Sequence, residues 1–92
     1  MLNAMEATNA DVKTNIRAFI VDNFLFGNDD PSLTDDASFL ETGIIDSTGI
    51  LELVSFVEQT YDIAIDDGEM LPENLDSLER ISAFVNRKRD GK

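Results

Sequence analysis

Val12, Ile16, Phe19, Ile20, Asn23 and Phe24 recur at the three- and four-residue steps of one helical face. That spacing predicts a first helix from about Asp11 to Phe24, with Asn9 or Asp11 near its cap. The pattern then breaks. Gly27, Asn28, Asp29, Asp30, Pro31 and Ser32 are stacked turn formers, and the polar run continues through Thr34, Asp35 and Asp36 to Ser38, Phe39 and Leu40. A long loop is expected here, tacked to the core by Leu33, Phe39 and Leu40. Stretches beyond roughly 12 to 15 residues without regular structure are uncommon in compact domains and are often functional. This one ends at Ser47.

Helical spacing returns from Ser47 to Tyr61, where Ile50, Leu53, Val54, Val57 and Tyr61 form one apolar stripe, Glu52, Glu58 and Gln59 lie off it, and Asp46 stands as N-cap. Asp62-Ile63-Ala64-Ile65-Asp66-Asp67 alternates like a strand, but a strand without a partner run is not stable, so an extended connector is expected with Ile63 and Ile65 turned inward. Gly68 to Glu73 reads as a short helical turn closed by Pro72, because a proline disfavours helical backbone at the residue before it. A last helix opens at Asp76 or Ser77 and runs through Ile81, Phe84 and Val85 to about Lys88, its negative end matched by Arg87, Lys88 and Arg89. The expected fold is all-α, a small bundle of three main helices plus one short helix, with a long loop between the first and second helices. Ninety-two residues carry apolar material for one core only. The single domain is expected over residues 11–89, with flexible segments at 1–10 and 90–92.

Composition narrows the chemistry. The chain has no cysteine and no histidine, which removes thiol nucleophiles, Cys/His zinc sites, disulfides and Ser-His-Asp arrangements. Nowhere do about 18 apolar residues run together and no basic, apolar leader opens the chain, so a cytoplasmic protein without a membrane span is expected. Nineteen acidic against seven basic residues give a net charge of −12, which argues against nucleic acid as a partner. The cations are Lys13, Arg17, Arg80, Arg87, Lys88, Arg89 and Lys92, so no positive charge falls between Ala18 and Glu79. Such a field attracts basic partners, more weakly as salt rises. The acidic pairs Asp29-Asp30, Asp35-Asp36 and Asp66-Asp67 invite comparison with calcium loops, but no glycine stands sixth after a suitably spaced Asp, and no metal site is expected.

Ser47 stands just after an Asp cap at the head of an acidic helix, where free backbone N–H groups and the helix dipole favour a phosphate. An Asp-Ser pair alone reads as ordinary capping; its surroundings say more. The run from Phe39 to Leu53, with Gly43-Ile44-Ile45-Asp46-Ser47-Thr48-Gly49 at its centre, resembles the attachment motif of the acyl carrier protein family, and the likeness extends from about Asp11 to Arg87. The resemblance implies a non-catalytic carrier. A separate phosphopantetheinyl transferase would place 4′-phosphopantetheine from coenzyme A on Ser47, with Asp46 helping it position metal and phosphate. The arm would hold an acyl or aminoacyl group as a thioester for enzymes of fatty-acid, polyketide or other biosynthesis.

The likeness also assigns partner docking to Leu51, Glu52 and Glu58, facing loading ligases and downstream transferases or synthases with basic patches, on a monomeric carrier. At about 100° per residue Leu51, Ser55 and Glu58 fall within about 80° of Ser47, and Glu52 and Gln59 near 120° to 140°. Thr48 and Gly49 depart from the Leu or Met and the acidic residue of many fatty-acid carriers. Ile-Ile-Asp-Ser-X-Gly is similar instead to freestanding carriers such as the D-alanyl carrier protein, charged by an adenylating ligase. Phe19, Phe24, Phe39 and Phe84 are candidates to fill the interior that a long acyl chain would otherwise occupy. An acidic adaptor with no prosthetic group is the alternative that composition alone supports.

Overall fold

The computed structural model describes residues 9–28 and 30–90, so of the flexible segments expected at 1–10 and 90–92, residues 1–8 and 91–92 lie outside the described residues, while Asn9, Ala10 and Asp90 are helical. The apolar stripes become three substantial helices, α1 (Asn9–Phe24), α3 (Ser47–Tyr61) and α5 (Leu78–Asp90), joined through two one-turn helices, α2 (Phe39–Thr42) and α4 (Pro72–Leu75), and a 3₁₀ turn at Asp67–Glu69. The result is a small all-α bundle, as the periodicity predicts. α3 has the expected bounds; α1 starts two residues early and α5 continues to Asp90, the end-of-helix differences that fraying makes ordinary.

The register of α1 against α3 follows from three contacts. Asn15 Nδ2 donates to Tyr61 Oη at 3.2 Å, the Phe19 and Phe56 rings stack with centroids 4.2 Å apart, and the Phe24 ring lies against the backbone of Gly49. As numbers rise on α1 they fall on α3, so the two run antiparallel. Both α1 and α4 pack on α5. Val12, Ile16 and Ile20 of α1, Leu53, Val54 and Val57 of α3, and Leu78, Ile81, Phe84 and Val85 of α5 are buried together, with Ile63 and Ile65 of the connector turned inward as expected. Phe39 and Phe84 are fully inside, while Phe19 and Phe24 cover the core's edge.

Two expectations need correction. The stretch between α1 and α3 is not free of regular structure: it contains α2, and although Leu33 and Phe39 are buried, Leu40 is 46 % exposed. And Pro72 opens a helical turn instead of closing one, taking the first position of α4, where its missing N–H has no intrahelical use. The turn before it is the separate 3₁₀ segment. Its Glu69 carboxylate accepts from the Asp66 N–H at 3.0 Å and from Lys88 Nζ at 2.9 Å. These two donors, the backbone N–H first, hold the Glu69 carboxyl below the usual range.

The long connection is pinned along its length. Arg17 Nη1 donates to the Leu33 carbonyl at 2.7 Å, Lys13 pairs with Asp35 at 3.2 Å, and the Glu79 N–H donates to the Asp35 carbonyl at 2.9 Å. Asp30 accepts both the N–H and the hydroxyl of Ser32 at 2.8 Å, a local turn whose backbone donor chiefly lowers the Asp30 carboxyl pKa. Among the described residues no helix is long and apolar enough to cross a membrane.

Candidate functional site

Ser47 is delivered by a short relay of fixed turns. A four-residue helix cannot hold itself together, and α2 is held by Asp76, buried at the junction of α4 and α5. The Asp76 carbonyl accepts the Phe39 N–H at 3.0 Å, its Oδ1 accepts the Leu40 N–H at 3.1 Å, and its Oδ2 accepts the Ser38 hydroxyl. Ser38 Oγ in turn accepts the Glu41 N–H at 3.1 Å. At the other end of α2, Gly43 turns left-handed at φ 77°, a conformation that favours glycine, and Ile45 is buried with its N–H on the Phe39 carbonyl. The next residue begins the cap of α3.

Asp46 is extended, and its Oδ1 accepts the Gly49 N–H at 2.7 Å, the N-cap predicted from the sequence. Ser47 is therefore the first residue of α3, with its side chain exposed, at the positive end of a 15-residue helix. Thr48 is also exposed, whereas Gly49 is buried. A Cβ built on Gly49 falls 2.8 Å from both Ile45 Cγ2 and Phe24 Cε1, so the glycine lets α1 and the α3 cap close on each other. Gly49→Val adds bulk and β-branching there, and is expected to lower stability by about 2 to 3 kcal/mol. A urea midpoint equal to that of the parent protein would show that the two helices do not need this contact.

Ser47 helps to line an open groove of about 290 Å³ together with Leu40, Ile50, Leu51, Met70, Leu71 and Leu75, and with Pro72 and Asp76. Leu40, Leu51 and Leu71 are 46 %, 55 % and 42 % exposed, so large apolar side chains stand open to solvent on one continuous surface. On the other flank of the α3 N-terminus a second hollow of about 320 Å³ is lined by Phe24, Gly43, Ile44, Asp46, Thr48, Gly49 and Glu52. Ser47 lines the first of these and not the second.

The structure divides the sequence-predicted docking residues. Leu51 shares the apolar groove with Ser47, as its helical angle predicts, and Glu52 borders the hollow on the other side. Glu58 is engaged within the fold. Its Oε2 accepts the Ile65 N–H at 2.8 Å, and its carbonyl accepts from Asp62 and Ile63, closing α3 onto the connector. It is half-buried, eleven positions along the helix from Ser47. Sequence reasoning did not find Asp76, Met70, Leu71 or Leu75 as neighbours of Ser47. Asp76 entered only as a helix start, and the groove draws its walls from separate segments whose meeting no local pattern encodes. Among the described residues no group of three or more acidic side chains is placed to hold a metal ion. No family model matches the chain, and no curated protein matches it.

Proposed function

We propose that the chain is a carrier protein: Ser47 receives a 4′-phosphopantetheine arm from coenzyme A, and the arm holds a carboxylic acid as a thioester. The observation that carries this reading is the setting of Ser47, an exposed hydroxyl on the first turn of α3, capped by Asp46 and opening on an apolar groove. The N–H groups and dipole of α3 favour the phosphate that such a link leaves at Ser47. The groove begins where the arm would be rooted, and its leucine, isoleucine and methionine walls favour an apolar acyl group.

The carrier performs no chemistry of its own in this reading. A tethered cargo meets each enzyme at high effective concentration, and the bundle supplies position and recognition. Leu51, in the groove with Ser47, and Glu52, at the second hollow, offer an apolar contact and a negative border to basic partners, while Glu58 supports that surface from the far end of α3.

The test is intact-mass analysis of the purified chain after incubation with a phosphopantetheinyl transferase and coenzyme A. One arm per chain is expected. A chain that stays unmodified while an authentic carrier is converted in the same mixture leaves an acidic adaptor as the reading.

A further inference from the structure

One wall of the groove is formed by Met70, Leu71, Pro72 and Leu75. Leu75 anchors it in the core, but Met70 is half-buried and Leu71 and Pro72 are exposed. Charge supplies further hold. Arg80, Arg87 and Lys88 fall within about 100° of one another around α5, and each reaches this wall or the turn leading into it. Lys88 Nζ pairs with Glu69 Oε1 at 2.9 Å and Oε2 at 3.2 Å, Arg80 Nη1 donates to the Pro72 carbonyl at 3.4 Å, and Arg87 Nη2 donates to Asn74 Oδ1 at 3.4 Å. Asn74 Nδ2 in turn donates to the Glu69 carbonyl at 2.9 Å, which joins the last contact to the first. Three of the chain's seven cations are thus committed to one short segment.

We infer that Arg80, Arg87 and Lys88 are a brace that holds the groove open, with the Lys88–Glu69 pair as its main tie. No residue of α5 lines the groove, so the row grips the wall from outside. Leu40 and Leu51, on α2 and α3, line the same groove and stand open to solvent. Removal of apolar surface from water draws Leu71 toward them, and the brace opposes that collapse. The Lys88–Glu69 contact is the shortest of the three, and its side chains are only 26 % and 32 % exposed, so it is less screened than a fully solvated pair. These are positioning residues. A groove held at its working width takes an apolar group without first separating its own walls. The brace rests on the carrier reading only for the identity of that group.

The experiment titrates the full chain, without an arm, with the neutral apolar dye N-phenyl-1-naphthylamine, for the parent protein, Lys88→Met, Lys88→Arg and Glu69→Gln. Lys88→Met keeps the aliphatic stem and removes the charge, and is expected to raise Kd for the dye about fivefold as the open groove becomes less populated. Glu69→Gln should weaken binding in the same direction, and Lys88→Arg should keep Kd near the parent value. Each variant should retain a cooperative unfolding transition. A merely structural tie would lower Tm in Lys88→Met and leave Kd unchanged, which overturns the brace. Tighter binding by Lys88→Met shows that the row holds the groove shut, and a parent that binds no dye shows that the groove is not ready for an apolar group; either result also overturns it. Arm attachment plays no part in this measurement, so a chain that binds the dye as expected but takes no arm loses the carrier reading and keeps the brace.

Discussion

Asp76→Ala is expected to lower the unfolding free energy by about 1 to 3 kcal/mol, because it removes the buried carboxylate that accepts the part-buried Leu40 N–H and Ser38 hydroxyl. An unsatisfied buried donor costs roughly 1 to 3 kcal/mol, and a domain this small has on the order of 5 to 10 kcal/mol to lose. The effect should extend beyond stability. The Ser38 cap on the Glu41 N–H and the Phe39 N–H on the Asp76 carbonyl persist in the variant, but the Ser38–Ile45 relay that presents Ser47 loses its side-chain clamp. Loading at Ser47 is therefore expected to slow even in conditions where the variant is folded. Asp76→Asn keeps one acceptor oxygen and should fall between the parent and the alanine variant. Urea unfolding with an unchanged slope reads the loss directly. A shift below about 0.5 kcal/mol, the range of ordinary surface changes, would mean that the clamp does not hold α2.

Ser47→Ala is expected to have the opposite profile, with no stability loss and complete loss of arm attachment. The helix is capped by Asp46, not by Ser47, and the serine side chain is exposed. Alanine at the first turn of a helix gains up to about 0.5 kcal/mol in propensity, so Tm should hold or rise slightly. The pair of variants separates presentation from attachment: Asp76→Ala disturbs the support of Ser47, and Ser47→Ala removes the hydroxyl that the proposed attachment requires.

Much of this arrangement is legible in the sequence because its signals are local. α3 has a cap and an unbroken apolar stripe within fifteen residues, so Asp46, Ser47 and the buried Leu53, Val54 and Val57 follow from spacing alone. Ile63 and Ile65 are recognisable as core because alternation survives even without a partner strand. The one-turn helices are a different matter. α2 and α4 are too short to have a period, and α2 exists through bonds to Asp76, which stands 36 to 38 positions away in the chain. Leu40 reads as core by type and is drawn to the groove by position. Gly49 reads as a departure from a motif, although its neighbours Phe24 and Ile45 give it a packing reason. Glu58 shares a helical face with Ser47, but its carboxylate is drawn away by the Ile65 N–H, a bond that helical angles cannot anticipate.

Among the site's parts, the serine, its cap and its acidic helix are matters of sequence, and the groove is a matter of tertiary structure. Its walls come from α2, α3, the segment before Pro72 and α4, and only their convergence makes a cavity beside the exposed hydroxyl. In the carrier reading that surface takes the cargo; in the adaptor reading it is a docking face, and modification at Ser47 decides between them.

Attachment at Ser47 is most directly tested by treating the parent chain and Ser47→Ala side by side with a phosphopantetheinyl transferase and coenzyme A, then locating any added mass by fragmenting the peptide that spans Ile45 to Leu53. One phosphopantetheine is expected on Ser47 of the parent and none on the variant. An arm carried at Thr48 or elsewhere, or equal modification of both proteins, would contradict attachment at Ser47, and a parent that takes no arm would contradict the carrier reading itself.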